Sequence, residues 1–263
     1  MVRNPEKIRL LGRTGLKFEE DFDTLKRKML EQMPALTGES PVHLVVSDLD
    51  EVLVRISVKW AARLFSAGRL DRPYGPEELY GREEYNLAEF LGLGGGEALA
   101  AYDCPGFYDD LAPTRLGEIL SLLSEKGRIK LAIVSHTTGG NTGSKREFCS
   151  RFFPSADRFF LPLSRRKSDV IVSKGLGGYS TFIDDSVAVM CDVAARTGIA
   201  GKEFLMPRYG YNVERLLPRP LLTALAESGA SLRYYEPEGL EGVASEEQDI
   251  EETSPEPWYP ERI

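Results

Sequence analysis

Five short, largely apolar runs, separated by segments in which apolar residues recur at helical spacing, limit what this chain can fold into. The runs are Val42–Val46, Ile129–Val134, Phe159–Leu161, Tyr179–Ile183 and Phe204–Met206. Runs as short as these suit buried strands better than helices. Because strands that alternate with helices favour a parallel sheet, the sequence predicts an α/β domain.

Helices are predicted between and before these runs from apolar spacing and from capping residues. They cover Phe18–Met33, a segment that begins at Thr114 and ends near Gly127, a segment opened by a Ser144–Glu147 capping box, the Trp60–Phe65 region, and Val187–Arg196, closed by Gly198. About 80 residues separate the first two runs, whereas a strand–helix–strand crossover needs about 30. The residues beyond those that a crossover needs predict an inserted subdomain.

The predicted organisation has four parts. Residues 1–40 are an N-terminal extension, residues 41–55 and 106–234 form the core, and residues 56–105 are a helical insertion. Residues 235–263 are rich in Pro, Glu and Ser and are predicted to be a mobile tail.

Composition excludes several classes of protein. The hydrophobic fraction of 42% suits an ordinary core and excludes disorder of the whole chain. No apolar stretch is long enough for a membrane span, and the first residues lack the apolar core of a secretion signal. The cysteines Cys104, Cys149 and Cys191 show no C-x-x-C spacing, so neither a disulfide framework nor a cysteine zinc site is predicted. These features predict a cytoplasmic protein.

The charge of the chain is unevenly distributed. The net charge is −8, and Glu236–Ile263 alone contains ten acidic residues and one Arg. The remainder holds 32 basic and 31 acidic residues. A protein that binds nucleic acid regardless of sequence usually has a basic excess, so the body argues against a nucleic-acid partner. With only 2 His, catalysis that needs several His is nearly excluded.

Asp48 and Asp50, in VVSDLDEVLV, are the strongest chemical signal. They follow the first apolar run, and alternation along an extended chain would place both side chains on the same side. At the carboxyl end of a parallel strand they would face the usual ligand crevice. Two carboxylates this close repel each other unless a cation or proton lies between them, so a hard divalent ion is expected. The alternative is an acidic, solvated turn.

Three further strand ends carry polar residues. Asp184 and Asp185 close the fourth run, and Ser135, in AIVSHTTGG, closes the second. A hydroxyl followed by small residues can hold a phosphate. A phosphate substrate would also need a basic residue, and the candidates are Lys167, which lies between the third and fourth runs, and its competitors Lys145 and Lys174. A solvated surface position remains the ordinary alternative for each of them.

The order Asp-x-Asp, Ser, Lys, Asp-Asp resembles the four motifs of the haloacid dehalogenase-like (HAD) superfamily of phosphohydrolases. Asp48, Asp50 and Val52 match the first motif, Ser135 the second, Lys167 the third, and Asp184 with Asp185 the fourth. The motifs span Val42 to Ser186. The resemblance implies a Rossmann-like parallel sheet with helices on both faces and a small helical cap inserted after the first strand.

A narrower resemblance is to the 5'(3')-deoxyribonucleotidases. The stretches CPGFYDDLAPTRLGEILSLL and DRFFLPLSRRKSDVIV are similar to segments of that family, and the insertion lies where its cap does. Glu51 stands where that family usually has glycine, and His136 stands where it has a small hydroxyl residue. About seven extra residues lie between Lys167 and the acidic pair.

The resemblance implies roles for these residues. Asp48 would be the nucleophile and Asp50 the general acid and base. Ser135, His136 and Lys167 would bind the substrate phosphate. Mg²⁺ would be held by Asp48, Asp185 and Asp184, together with the backbone carbonyl of Asp50. Six aromatic residues of the insertion are candidates for packing over the substrate or for the core of the insertion: Trp60, Phe65, Tyr80, Tyr85, Phe90 and Tyr102.

The sequence therefore predicts a Mg²⁺-dependent phosphomonoesterase acting on a (deoxy)nucleoside monophosphate or a similar small metabolite. A polynucleotide 3'-phosphatase and a non-catalytic binding protein of the same fold are the alternatives. No membrane partner is expected. The oligomeric state is left open, with a homo-oligomer as one alternative.

Overall fold

The computed structural model describes residues 8–11, 43–213 and 217–237. The strands are β1 (Ile8–Leu11), β2 (Leu44–Ser47), β3 (Lys130–Thr137), β4 (Asp157–Pro162), β5 (Thr181–Ile183), β6 (Glu203–Pro207) and β7 (Ser231–Tyr235). The α-helices are α1 (Ser57–Ser66), α2 (Pro76–Gly81), α3 (Leu87–Phe90), α4 (Gly95–Tyr102), α5 (Arg115–Glu125), α6 (Thr142–Phe152), α7 (Lys167–Ser173), α8 (Val187–Thr197) and α9 (Arg219–Ser228). The 3₁₀ turns are Leu176–Gly178 and Gly210–Asn212.

The strands form one sheet with the order β1-β7-β6-β5-β2-β3-β4. Strands β2 to β7 run parallel to one another, and β1 runs antiparallel to β7 with Ile8 opposite Tyr235. The prediction of a parallel α/β sheet is confirmed, and all five predicted runs contain strands. Two strands were not predicted, because Arg9 interrupts the apolar run of β1 and Arg233 that of β7. The N-terminal extension predicted over residues 1–40 therefore contributes an edge strand.

Alternate residues of the central strands pack into two separate cores. Val45 and Ile133 belong to one core with side chains of α5 and α6. Val46 and Phe182 belong to the other core with side chains of α7 and α8. Because successive residues of a strand face opposite sides, this division places helices on both faces of the sheet.

Local capping explains where two of the predicted helices begin. The Thr114 Oγ1 accepts a hydrogen bond from the Gly117 amide at the start of α5, and the Ser186 Oγ accepts one from the Val189 amide at the start of α8. The capping box predicted at Ser144 is wrong. Helix α6 begins at Thr142, and the Ser144 hydroxyl donates to the carbonyl of the preceding turn.

Helices α1 to α4 lie in the predicted insertion between β2 and α5. They bury a small core of their own, formed by Ala61, Leu64, Leu70, Leu79, Leu87 and Leu91. Tyr80 stacks on Tyr209, with ring centroids 4.9 Å apart, and so joins this group of helices to the segment after β6. The bounds of the insertion as a domain remain a prediction.

Some expectations fall outside the described residues. The helix predicted over Phe18–Met33 and nearly all of the predicted tail belong to this group. Within the described part of the chain, none of the helices combines the length and the apolar character that crossing a membrane requires.

Candidate active site

The register of the three central strands brings their carboxyl ends together. Ser47 of β2 pairs with Ile133 of β3 and with Ile183 of β5. The next residues, Asp48 and Asp184, therefore lie side by side, and the Asp48 amide donates to the Ile183 carbonyl over 2.8 Å. Parallel strands place their carboxyl ends at one edge of the sheet, which is the usual position of a ligand crevice.

Three buried carboxylates form an acidic cluster at this edge. Asp48, Asp184 and Asp185 each offer an oxygen, and these oxygens lie within 4.8 Å of one another. The Lys167 ammonium lies 2.6 Å from Asp48 Oδ2 and 2.8 Å from Asp184 Oδ2. Asp185 is held by Tyr211, whose hydroxyl donates to Asp185 Oδ2 over 2.8 Å. Three carboxylates thus share the charge of one contacting lysine.

The pKa values of the cluster reflect burial first and the neighbouring charges second. Burial raises the pKa of Asp48, but the charges of Lys167 and Lys145 outweigh it and the net shift is downward. Burial raises the pKa of Asp184 to about 6, against the opposing charge of Lys167. Burial and the charges of Asp184 and Asp48 raise the pKa of Asp185 well above its usual range.

The donor set of the acidic cluster fits a hard divalent cation. Carboxylate oxygens are the ligands that Mg²⁺ prefers in proteins. Burial raises the pKa values of Asp184 and Asp185, and the neighbouring carboxylate charges add to the rise. A bound cation would relieve this repulsion.

Asp50 faces a different set of partners. Tyr108 donates to Asp50 Oδ1 over 2.7 Å, while Tyr102 and Lys145 reach Asp50 Oδ2 at 2.8 and 2.7 Å. The chain is extended only as far as Ser47, so alternation does not govern Asp48 and Asp50. The side chains of Asp48 and Asp50 thus contact different lysines, and the expectation that both take part in one cation site stays a prediction.

The three candidate lysines lie in different surroundings. Lys167, at the start of α7, contacts the acidic cluster, whereas Lys145, in α6, contacts Asp50. Lys174 is exposed at the end of α7, with its ammonium 6.0 Å from the centre of the Phe159 ring. Of the three, Lys167 is the one whose ammonium contacts Asp48.

Ser135 and His136 lie in β3, two residues and one residue before its end at Thr137. The Ser135 Oγ is buried beside the Asp48 carboxylate and, within the described residues, has no partner at hydrogen-bond geometry. An unpaired buried hydroxyl is costly, so this position favours a ligand group. The His136 Nε2 lies 2.8 Å from the Arg165 carbonyl, and burial lowers the pKa of His136.

Glu51 adopts the left-handed conformation that glycine favours, with φ of 59°, and is the one non-glycine residue to do so in the described ranges. Its Oε1 accepts hydrogen bonds from the Ile56 amide and from the amide and hydroxyl of Ser57. The side chain therefore caps the start of α1. Tyr209 donates to the Glu51 carbonyl over 2.7 Å, which fixes the loop between the sheet and the insertion.

The aromatic residues of the insertion divide between packing and the site. Trp60 stacks on Tyr102, with centroids 5.0 Å apart, and Tyr80 is buried against Tyr209. Tyr85 is 54% exposed and meets Tyr211 edge to face at 5.4 Å. Because the Tyr211 hydroxyl contacts Asp185, Tyr85 lies beside the acidic cluster, and desolvation and the charges of Asp185 and Asp184 raise the pKa of Tyr85. The two remaining candidates lie elsewhere: Phe65 is exposed, and Phe90 packs on Tyr74.

Sequence reasoning did not find the tyrosines that hold the carboxylates. Tyr108 and Tyr211 contact Asp50 and Asp185, and Tyr102 had been considered only as a packing or stacking residue. The separations in sequence are long, between 26 and 58 residues, so local patterns carry no signal for these pairs.

No family model and no curated protein matches the chain. Solved structures with some likeness include a predicted phosphoglycolate phosphatase from Haemophilus somnus 129pt, at 18% identity over 67% of this chain and 90% of that one, with a TM-score of 0.46. A HAD-superfamily hydrolase from Ehrlichia chaffeensis shows 15% identity over 64% and 90%, with a TM-score of 0.38. L-2-haloacid dehalogenase from Xanthobacter autotrophicus shows 16% over 72% and 84%, with a TM-score of 0.36.

Proposed function

We propose that this chain is a Mg²⁺-dependent phosphomonoesterase of the HAD superfamily that works through a phosphoaspartate intermediate. One observation carries the proposal: at a strand end the Lys167 ammonium bridges Asp48 and Asp184, Asp185 lies in the same buried acidic cluster, and the buried Ser135 hydroxyl lies beside Asp48. A nucleophile, a phosphate-binding cation, a hydroxyl donor and a cation site are the parts that phosphoryl transfer to a carboxylate requires.

Asp48 is suited to be the nucleophile. The Leu49 amide and the Lys167 ammonium hold its two oxygens at 2.7 and 2.6 Å, and its lowered pKa keeps it ionised. One carboxylate oxygen would attack phosphorus while the bond from phosphorus to the leaving oxygen breaks. Ser135 and the remaining proton of Lys167 would hold the phosphoryl oxygens, with His136 at the edge of the same pocket.

Asp50 would move the protons. In the first step its carboxyl would give a proton to the leaving oxygen. In the second step it would take a proton from the water that attacks phosphorus, and the bond between phosphorus and Asp48 would break to release phosphate. The first step would leave Asp50 without its proton, as the second step requires, and the second step would restore that proton.

Mg²⁺ would be held by Asp48, Asp185 and Asp184, with the Asp50 carbonyl as a further ligand. When bound, the ion would neutralise negative charge on the phosphoryl group during transfer. Tyr211 and Asn212 would keep Asp185 in place, through its side chain and its carbonyl respectively.

We further propose that residues 56–105 act as a cap on a core formed by residues 41–55 and 106–234, and that the substrate is a (deoxy)nucleoside monophosphate or a similar small phosphorylated metabolite. Tyr85 supports this, because its exposed ring extends from the helical insertion and packs on Tyr211, whose hydroxyl holds Asp185 of the acidic cluster. An exposed aromatic ring beside the phosphate position is suited to pack on a flat leaving group.

The test is phosphate release from a panel of phosphorylated metabolites, with Mg²⁺ and with EDTA, for the natural protein and for Asp48→Asn. Release that needs Mg²⁺ and falls at least about 10³-fold in Asp48→Asn is expected. The matched control is Asp71→Asn, which changes an exposed aspartate and should retain activity. Equal release by Asp48→Asn would contradict the mechanism. Release from sugar phosphates alone would retain the phosphatase and reject the nucleotide substrate.

A further inference from the structure

The carboxylate of Asp50 lies at the centre of a small buried network. It joins Tyr102 of α4, Tyr108 of the following loop and Lys145 of α6. The two tyrosine hydroxyls also lie 3.0 Å from each other. Two segments that are distant from Asp50 in sequence, one with both tyrosines and one with Lys145, therefore meet at the residue proposed above as acid and base.

Lys145 has no proton left for a substrate. Its side chain is 0% exposed, and its ammonium contacts Asp50 Oδ2 at 2.7 Å, the His136 carbonyl at 2.5 Å and the Tyr102 hydroxyl at 3.4 Å. An ammonium group has three protons, and three acceptors surround this one. Lys145 is therefore placed to act on Asp50 and not on a phosphoryl group.

The two oxygens of Asp50 are held unequally. Oδ2 has two contacts, from Lys145 and Tyr102, whereas Oδ1 has one, from Tyr108. Oδ1 is thus the oxygen more available for proton exchange. When Oδ1 carries the proton, the Tyr108 hydroxyl can donate to Tyr102 instead, so the network accommodates both steps without an unpaired donor.

The position of Tyr102 is itself fixed by packing. Trp60 stacks on its ring at 5.0 Å, and Asn141 donates to its carbonyl over 3.3 Å. The network therefore rests on rigid neighbours in the helical insertion and in the loop before α6, which is what precise placement of a catalytic group needs.

We propose that Lys145 is a positioning residue that, with Tyr108 and Tyr102, holds Asp50 with Oδ1 toward the leaving group. The inference rests on the proposed phosphatase function and adds a role for residues outside the four motifs. The inference predicts that the loss of activity depends on the leaving group, because acid catalysis matters most when the leaving group is a strong base. Loss of Lys145 should then affect alkyl phosphates far more than aryl phosphates.

The experiment compares kcat and KM for p-nitrophenyl phosphate and for β-glycerophosphate in Lys145→Met and Tyr108→Phe, with Lys126→Met, an exposed lysine, as the control. For Lys145→Met we expect kcat on the alkyl phosphate to fall about 10²-fold, and kcat on the aryl phosphate to fall less than about fivefold. Tyr108→Phe keeps the ring and should show the same pattern to a smaller extent.

Two outcomes would overturn the inference alone. Equal losses on both substrates in both variants would mean a merely structural role, and a rise in KM on both substrates would mean that Lys145 binds phosphate. If Lys145→Met does not fold, Tyr108→Phe still decides between these outcomes. Absence of turnover by the natural protein on every phosphate would instead reject the proposed function, and the inference with it.

Discussion

The ammonium group of Lys167 lies 2.6 Å from Asp48 Oδ2, and both groups are buried. The same ammonium lies 2.8 Å from Asp184 Oδ2. Lys167 therefore compensates two carboxylates and retains one proton for a further acceptor. The pair fixes one oxygen of Asp48 and keeps that carboxylate ionised.

Lys167→Met should abolish phosphate release and destabilise the metal-free protein. Removing one partner of a buried ion pair leaves uncompensated charge, which typically costs about 3–5 kcal/mol. Part of this loss should return with Mg²⁺, because the ion replaces the missing positive charge. Thermal melting and phosphate release measure both effects. Lys174→Met, at the other end of α7, is the control and should match the natural protein. Similar melting of both variants without metal would contradict this role.

Stability of the metal-free protein should fall as the pH rises from about 4 to above 6. Asp184 ionises near its usual pKa of 3.8 when unfolded and near 6 when folded, so the folded state binds more protons in between. Melting temperatures measured with EDTA at pH 5 and pH 8 test this direction. A higher melting temperature at pH 8 than at pH 5 would contradict the prediction.

Mg²⁺ should raise the melting temperature much more at pH 8 than at pH 5. At pH 5 a proton already neutralises Asp184, and it competes with the ion. The natural protein and Asp185→Asn are compared at both pH values. The substitution should remove most of the rise at pH 8. An equal rise in the variant would show that Mg²⁺ acts elsewhere.

Tyr211→Phe should weaken Mg²⁺ binding about 10-fold while leaving the fold intact. The Tyr211 hydroxyl donates to Asp185 Oδ2 over 2.8 Å, and residues that hold metal ligands typically contribute 10–100-fold to affinity. Titration calorimetry gives the affinity directly. Tyr74→Phe, a half-buried tyrosine of the helical insertion, is the control. Unchanged affinity in Tyr211→Phe would mean that Asp185 is held without this hydrogen bond.

Glu51→Gln should stabilise the protein at pH 8 and change little at pH 5. Burial raises the pKa of Glu51, partly opposed by Ser57 and Arg82, so its charged form is unfavourable in the folded state. A raised pKa means that stability is lost as the pH rises above the unfolded value of 4.5.

Glutamine keeps an oxygen for Ile56 and Ser57 and removes the charge. We expect a rise in melting temperature of about 2–4 °C at pH 8. Glu51→Gly should be measured beside it, because glycine relieves the strain of the left-handed φ but removes the side chain that caps α1. A Glu51→Gln variant that melts below the natural protein at pH 8 would show that the charge is stabilising.

The sheet and the positions of Asp48, Asp184 and Ser135 could be predicted because they follow from local pattern. Apolar runs mark buried strands, and polar residues at their ends meet wherever parallel strands are adjacent. The helix start at Ser144 was predicted incorrectly for a local reason as well. A serine three residues before a glutamate is typical of a cap, but Asn141 lies one turn earlier and occupies the position before the helix.

The partners of Asp50 could not be predicted in the same way. Asp50 and Lys145 are 95 residues apart in sequence, and a lysine inside a helix gives no local sign of the charge that it faces. The edge strand Ile8–Leu11 was missed because its pairing depends on Ser231–Tyr235, far along the chain. Long-range contacts of this kind depend on the assembled fold.

The antiparallel pairing of β1 with β7 has a consequence for how the sheet is completed. Ile8 lies opposite Tyr235, so β1 has no partner strand until nearly the whole described chain has been synthesised. During synthesis the parallel core from β2 to β6 can assemble first, with the edge of β6 left open. That edge closes when β7 pairs with β6 and β1 then pairs with β7. Because more than 200 residues separate β1 from β7, we expect their pairing to form late in folding.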